Sequence, residues 1–436
     1  MSENRKLETI CVQAGWEPKK GEPRVLPIYQ STTFKYETSD QMGRLFDLED
    51  TGYFYTRLQN PTNDAVAAKI AELEGGIAAM LTSSGQAANL LAVINICEAG
   101  GHIVSTSAIY GGTFNLLGTT LKKFGIGVTF VDQDAPEEEI AKAFQPNTKL
   151  VFSETISNPS VQVLDIEKMA KLAHDHGVPL IVDNTFATPI HCRPIAFGAD
   201  IVVHSTTKYM DGHASTVGGC IVDSGNFDWM AHRETFPGLT EPDESYHGIV
   251  YAEKFGKMAY IQKATAQLMR DLGVIQAPMN SFLLNIGLET LHLRMQRHCE
   301  NAQKVAEYLE QNPEVAWIHY PGLKSSQYYE IAKKYMPNGT CGVISFGLKG
   351  GRERSIRFMD HLKLAAIVTH VADARTSVLH PASHTHRQMT EEQLLEAGVQ
   401  PDLIRFSVGI ENVEDIIADI EQALEAALAF EKEKSE

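Results

Sequence analysis

Apolar residues fall into two recurring arrangements along this chain. In the first they return every three to four positions. The run AVAAKIAEL within residues 63–73 has this form, which predicts an amphipathic helix that Gly75-Gly76 stops. A second helical run opens near Ser84 and continues through ANLLAVINI. In the second arrangement short apolar stretches stand alone, too brief for helices. Residues 102–105, 128–131, 150–153, 179–182 and 200–204 read as strands, and residues 113–124, 137–143 and 168–176 between them read as helices. Strands alternating with helices predict an α/β domain, a mostly parallel sheet covered on both faces.

Outside that alternation the pattern changes. Residues 1–60 carry neither period. Pro18, Pro23 and Pro27 punctuate them and Pro61 closes them, so they read as an irregular arm lying over something else. Residues 225–256 interrupt the rhythm with FPGLTEPDESYHG, rich in turn formers and acids, and read as a long surface insertion. A long helical pattern over 277–297 links what precedes to a second unit, with a helix over 301–311, strands over 343–348 and 405–409, and a closing helix over 413–432. The expected division is an arm over 1–61, an α/β domain over 62–276 and an α+β domain over 277–436.

The chain has 436 residues, enough for a sizeable core, and 43% apolar and 21% charged residues are ordinary for a globular protein. A formal net charge of −17 repels phosphate backbones and anionic lipid heads, so neither nucleic acid nor membrane is an expected partner. Residues 1–10 lack the apolar core of a signal peptide, and no apolar run is long enough for a bilayer. Six cysteines lie far apart without a C-x-x-C, which points to a reduced, cytoplasmic protein rather than disulfides or structural zinc.

In doubly covered sheets, ligands sit beyond the carboxyl ends of the strands. PLIVDN puts Asp183 at one such end, and DIVVHSTTKY puts Ser205, Thr207 and Lys208 at the next. A lone Asp and a lone Lys read equally as a salt bridge. Together with hydroxyls they offer more: a lysine that can bond to an aldehyde, a carboxylate that can hold a ring nitrogen protonated, and donors for a phosphate. In TSSGQAA, Ser84, Gly85 and Gln86 open a helix, whose N-terminus binds phosphate well. Taken alone, that motif is a plain N-cap.

With HSTTKY, IVDNTFATP, YTRLQNPT, YGGT, ETISNP and IRFSVGIEN in this order, the chain resembles the Cys/Met-metabolism family of fold-type-I pyridoxal-5′-phosphate (PLP) enzymes over nearly its whole length. The resemblance implies a seven-stranded-type sheet in the large domain and a smaller α+β C-terminal domain. It implies Lys208 as the Schiff-base lysine and Asp183 as the partner of the pyridine nitrogen. Tyr55 and Arg57 would reach the phosphate of a neighbouring subunit, and Tyr110 would stack on the PLP ring. Asn158 would lie near the cofactor hydroxyl or the substrate carboxylate, and Arg405 would clamp that carboxylate, a task that suits a forked guanidinium. Read without the resemblance, Tyr110 is a buried aromatic at a strand end, Arg57 a surface arginine and Arg405 a strand-end arginine in a salt bridge. His380, His384 and His386 in LHPASHTH lack a carboxylate or cysteine partner, so no metal is expected, and the resemblance makes this segment structural support. Cys97 and Cys220 read as inert core residues.

Within the family, CVQAGWEP, VLPIYQSTTF, LEGGIAAMLTSSGQAA and DARTSVLHPASHTH are similar to the O-acetylhomoserine sulfhydrylases. The implied reaction is γ-replacement of the acetate of O-acetyl-L-homoserine by sulfide or a thiol, giving homocysteine, with Lys208 moving the Cα proton and Tyr110 as second proton carrier. The alternatives are a γ-lyase or cystathionine γ-synthase activity, and, from another class, a non-catalytic protein that has kept the fold. Gly112 stands where the methionine γ-lyases often carry a cysteine, and His370 where family members usually have a smaller polar residue. The implied assembly is a homotetramer of two dimers that share active sites.

Overall fold

The computed structural model describes residues 5–384, 392, 394 and 399–435, with side chains through 429. Seven strands form the larger sheet: β1 (Ala78–Thr82), β2 (His102–Thr106), β3 (Gly127–Val131), β4 (Thr148–Glu154), β5 (Leu180–Asp183), β6 (Ile201–His204) and β7 (Gly219–Asp223). Their order is β1-β7-β6-β5-β4-β2-β3, and only β7 runs against its neighbours. Val151, Phe152, Ile181, Val182, Val202 and Val203 are wholly buried, as strands covered on both faces require. The expected mostly parallel α/β sheet is therefore present.

The helix expected over 63–73 is Pro61–Glu74. Asn60 caps it by accepting the Thr62 N–H, Pro61 supplies a ready-made first turn, and Gly75 ends it at φ 79°. The helix opening near Ser84 is Gly85–Ile94, with the Ser84 hydroxyl accepting the Ala87 N–H. The pattern over 277–311 is two helices, Pro278–Glu289 and Leu291–Gln311, parted at Thr290. A second sheet follows: β8 (Val315–His319), β9 (Val343–Leu348), β10 (Ala366–Ile367), β11 (Ser377–Leu379) and β12 (Ile404–Ser407), in the order β10-β11-β12-β9-β8. Val413–Ser435 closes the chain.

Two readings need correction. Residues 1–60 are not wholly irregular: Leu7–Gln13 is a helix that buries Ile10 and Cys11, and Ser39–Phe46 is a helix capped by Thr38. Their prolines lie outside both helices. The stretch 225–256 is not a plain surface insertion. It buries Trp229, Phe236, Leu239, Tyr246 and Tyr251, and Trp229 stacks on Tyr260 with ring centres 5.6 Å apart. Its turn formers and acids mask an apolar set spaced too irregularly to show a period. All six cysteines are free and buried.

Beneath the carboxyl ends of the strands lies a polar cluster. The Glu74 carboxylate, at the end of the first long helix, meets His204 Nε2 at 2.6 Å and accepts the Asn184 amide at 2.8 Å, with all three residues buried. Losing one member of such a cluster strands the others without partners.

The packing of the 225–256 stretch yields a stability prediction. Trp229→Ala should cost about 3–5 kcal/mol, as for other buried aromatic truncations. Urea unfolding checks this, and an unchanged midpoint would mean that the stretch is dispensable to the core.

Candidate active site

Adjacent strand ends carry the site. In the parallel ladder Glu154 of β4 faces Asp183 of β5, and Asp183 faces Val203 of β6, five residues before Lys208. Thr185 joins these ends: it donates its N–H and hydroxyl to Asp183 Oδ1, and its hydroxyl oxygen accepts the Ser205 N–H at 2.9 Å. The N-terminus of helix Gly85–Ile94 comes in against Ser205. A Cβ at Gly85 would stand 2.6 Å from Ser205 Cβ and 2.9 Å from its Cα, so only glycine permits this approach.

These groups border one cavity of about 310 Å³, together with Ser84, Gln86, Tyr110, Asn158, Thr207, Lys208 and Arg405. The structure thus brings together all of the expected site residues except two. Tyr55 and Arg57 lie elsewhere. Tyr55 is 42% exposed, Arg57 packs over its ring and donates to the Arg270 carbonyl, and Arg57 borders a different cavity of about 420 Å³ with Asn60, Asn63 and Gln276.

Each polar group in the main cavity has a definite setting. Burial, helped by the Arg405 guanidinium, pulls the Lys208 ammonium down to about 8, while Asp373 acts in the opposite direction. Asp183 is raised by burial, which its bonds from Thr185 and the nearby His204 oppose. Thr207 exchanges hydrogen bonds with the Gly218 backbone, donating to its carbonyl and accepting its N–H. Arg405 stands on β12 of the second sheet, 5% exposed, and reaches across to the first. It donates to Asn158 Oδ1 at 3.3 Å and to the Thr369 and His370 carbonyls at 3.1 and 3.3 Å. Its buried Nε has no partner among the described residues. Burial draws its guanidinium down to about 10.

The sequence reading passed over Glu154, Thr185, Asn89 and Phe186, which also line the cavity. Glu154 was open to the argument used for Asp183, since it too ends a buried apolar strand. Gly112 has a structural reason: a Cβ there would lie 2.5 Å from Tyr110 Cε1 and 3.0 Å from Gln86 Nε2. His380 is buried and its Nδ1 accepts the Ser383 N–H, a supporting arrangement. His384 is exposed, and His386 lies outside the described residues.

A lowered lysine, a buried carboxylate and a helix N-terminus beside the Ser205 hydroxyl form a donor set that fits pyridoxal phosphate, which presents an aldehyde, a ring nitrogen and a phosphate. The volume suits a bound small molecule. The fold and site thus define a PLP-dependent enzyme. The model of the Cys/Met metabolism PLP-dependent enzyme family matches residues 8–425, and the chain belongs to this family. It is 48% identical to homocysteine synthase of Schizosaccharomyces pombe, over 98% of this chain and 99% of that one. It is 45% identical to O-acetyl-L-homoserine sulfhydrylase of Leptospira meyeri, over 97% and 98%. A Campylobacter jejuni crystal structure, described as an O-acetylhomoserine (thiol)-lyase with N'-pyridoxyl-lysine-5'-monophosphate in its chain, superposes with a TM-score of 0.94. It shares 36% identity, with 97% of this chain and 100% of that one covered.

The setting of Lys208 makes a pH prediction. A lysine pulled down to about 8 becomes a free amine as pH rises through that value. Attachment of pyridoxal phosphate to the apo-protein, followed by visible absorption, should accelerate over the same range. Removing a neighbouring cation relieves part of the depression, so Arg405→Met should move the midpoint upward. A midpoint near the ordinary lysine value of about 10.4 would contradict this account.

Proposed function

We propose that this enzyme replaces the acetate of O-acetyl-L-homoserine with sulfide, giving L-homocysteine and acetate in methionine and cysteine metabolism. The observation that carries the reading is the single cavity in which Lys208 and Asp183 of one sheet face Arg405 of the other. It occurs in a chain 45–48% identical, end to end, to proteins named for this chemistry.

When bound, pyridoxal phosphate supplies an aldehyde that takes an amine and a ring that draws electrons away from the substrate Cα. The N–H groups at the start of helix Gly85–Ile94, left without partners inside the helix, would hold its phosphate together with the Ser205 hydroxyl and with that of Thr207, once its proton turns away from the Gly218 carbonyl. Asp183 would keep a proton on the ring nitrogen. Lys208 would anchor the cofactor and, once freed by the incoming amino group, would accept the Cα proton, for which a value of about 8 is well suited. Arg405 and Asn158 would take the substrate carboxylate, to which a forked guanidinium can offer two parallel N–H donors. Tyr110, beside the cavity mouth, would carry the second proton. At Cγ the bond to the ester oxygen breaks and a bond to sulfur forms: hydrosulfide enters and acetate leaves, so charge and protons balance.

The same reading makes the protein a homo-oligomer, a tetramer of two dimers. Tyr55 and Arg57, exposed and remote from Lys208 in their own chain, would serve a neighbour's cavity. Residues 1–61 would then be the arm between subunits, 62–276 the cofactor domain and 277–436 the C-terminal domain. Six free, buried cysteines favour the cytoplasm, and no described helix is long and apolar enough to cross a membrane.

Incubated with O-acetyl-L-homoserine, the enzyme should form homocysteine rapidly only when sulfide is present. Dominant 2-oxobutanoate with or without sulfide would instead make it an eliminating γ-lyase. Lys208→Ala should abolish both turnover and the visible band of the attached cofactor. Asp183→Ala should keep weak cofactor binding and lose most of the rate, whereas undiminished turnover would remove Asp183 from the reaction.

A further inference from the structure

We propose that Glu154 is a positioning residue whose single carboxylate sets Tyr110 and Asn158 in place against Asp183. Glu154 ends β4, 5% exposed, and faces Asp183 in the register of β4 with β5. Its Oε1 accepts the Tyr110 N–H at 2.7 Å and its Oε2 accepts the Asn158 N–H at 3.1 Å. Tyr110 lies beyond the end of β2 and Asn158 beyond the end of β4, two strands that pair directly. One carboxylate therefore clasps the loops leaving two neighbouring strands, next to the carboxylate of a third.

A merely structural residue has no need of this group. Ionised carboxylates are costly to bury, and a like charge alongside adds to the cost. Burial and Asp183 together push Glu154 well above the usual carboxylate range, with the two N–H bonds opposing them. A glutamine would fill the same volume, but its amide has one acceptor oxygen and so can serve only one of the two N–H groups. What the carboxylate provides is two acceptors at a fixed spacing.

The contacts continue outward from both ends of the clasp. Asn158 Oδ1 takes Arg405 at 3.3 Å, so the position of the guanidinium on the second sheet is linked through Asn158 to Glu154. On the other side, the Tyr110 N–H is fixed just before helix Gly111–Asn115, while its ring fills the space left by Gly112. This inference rests on the roles proposed above for Tyr110, Asn158 and Asp183.

The test compares PLP-loaded wild type with Glu154→Gln and Glu154→Asp, using Asp183→Asn as a reference. Glu154→Gln should lower kcat by roughly tenfold to a hundredfold, the range expected when a buried N–H is left without its acceptor. It should also raise KM for O-acetyl-L-homoserine and move the visible band of the bound cofactor. Glu154→Asp, one methylene shorter, should not rescue these changes. A Glu154→Gln enzyme with wild-type kcat, KM and absorption per bound cofactor would overturn the proposal, even if it melts at a lower temperature. If the variants do not fold, amide hydrogen exchange on the wild-type holoenzyme decides: the Tyr110 and Asn158 amides should both be protected, and exchange of either at an open-loop rate would refute the clasp. Full activity in Asp183→Asn would count against the functional reading, independently of Glu154.

Discussion

The in-register parallel pairing of β4, β5 and β6 is the constraint on which the site depends. Side chains on a strand alternate between faces, so a slip of one residue would send Asp183 to the opposite side of the sheet. The register is held by apolar residues buried on both faces, among them Phe152, Ile181 and Val202. Everything polar at the strand ends inherits its position from that apolar ladder: Thr185 ties Asp183 to Ser205, and Ser205 in turn receives the helix that begins at Gly85.

The same burial that fixes the register sets the electrostatics. Lys208, Asp183, Glu154 and Arg405 are all withdrawn from water, and in each case desolvation is the largest influence on protonation. Their arrangement limits the cost. The carboxylates take N–H and hydroxyl donors, and the guanidinium takes carbonyls and an amide oxygen. Of the two cations the lysine, left with little compensation, gives up its proton more readily than the guanidinium. A lysine that must react as a free amine is well placed at that point of the molecule.

Much of this was legible in the sequence, for identifiable reasons. Buried parallel strands are short apolar blocks between helices, so β2 to β6 stood out, and with them the residues at their ends. β1 and β7 were not legible. AAMLT is a short block squeezed between the Gly75-Gly76 stop and the helix that opens near Ser84, and GCIVD lies in a stretch without a neighbouring helical period. Helices Leu7–Gln13 and Ser39–Phe46 were hidden by their shortness and by the small number of core residues they bury. In the site, Lys208 and Asp183 stood out because strand-end position and motif agreed, and Arg405 stood out by its motif. Glu154 had the position without a chemical role that its residue type would suggest. Tyr55 and Arg57 were drawn from motif alone, and the fold of one chain does not bring them to Lys208.

Gly112 also bears on how such a site can change over time. Any side chain at that position meets the Tyr110 ring and the Gln86 amide, so the three positions are not free to drift separately. A relative with a larger residue there has to seat its tyrosine differently, and the intermediate carrying only one of the changes is the crowded one. Routes between neighbouring activities that pass through this corner are therefore narrow and ordered, because the first substitution alters which second substitution can be tolerated.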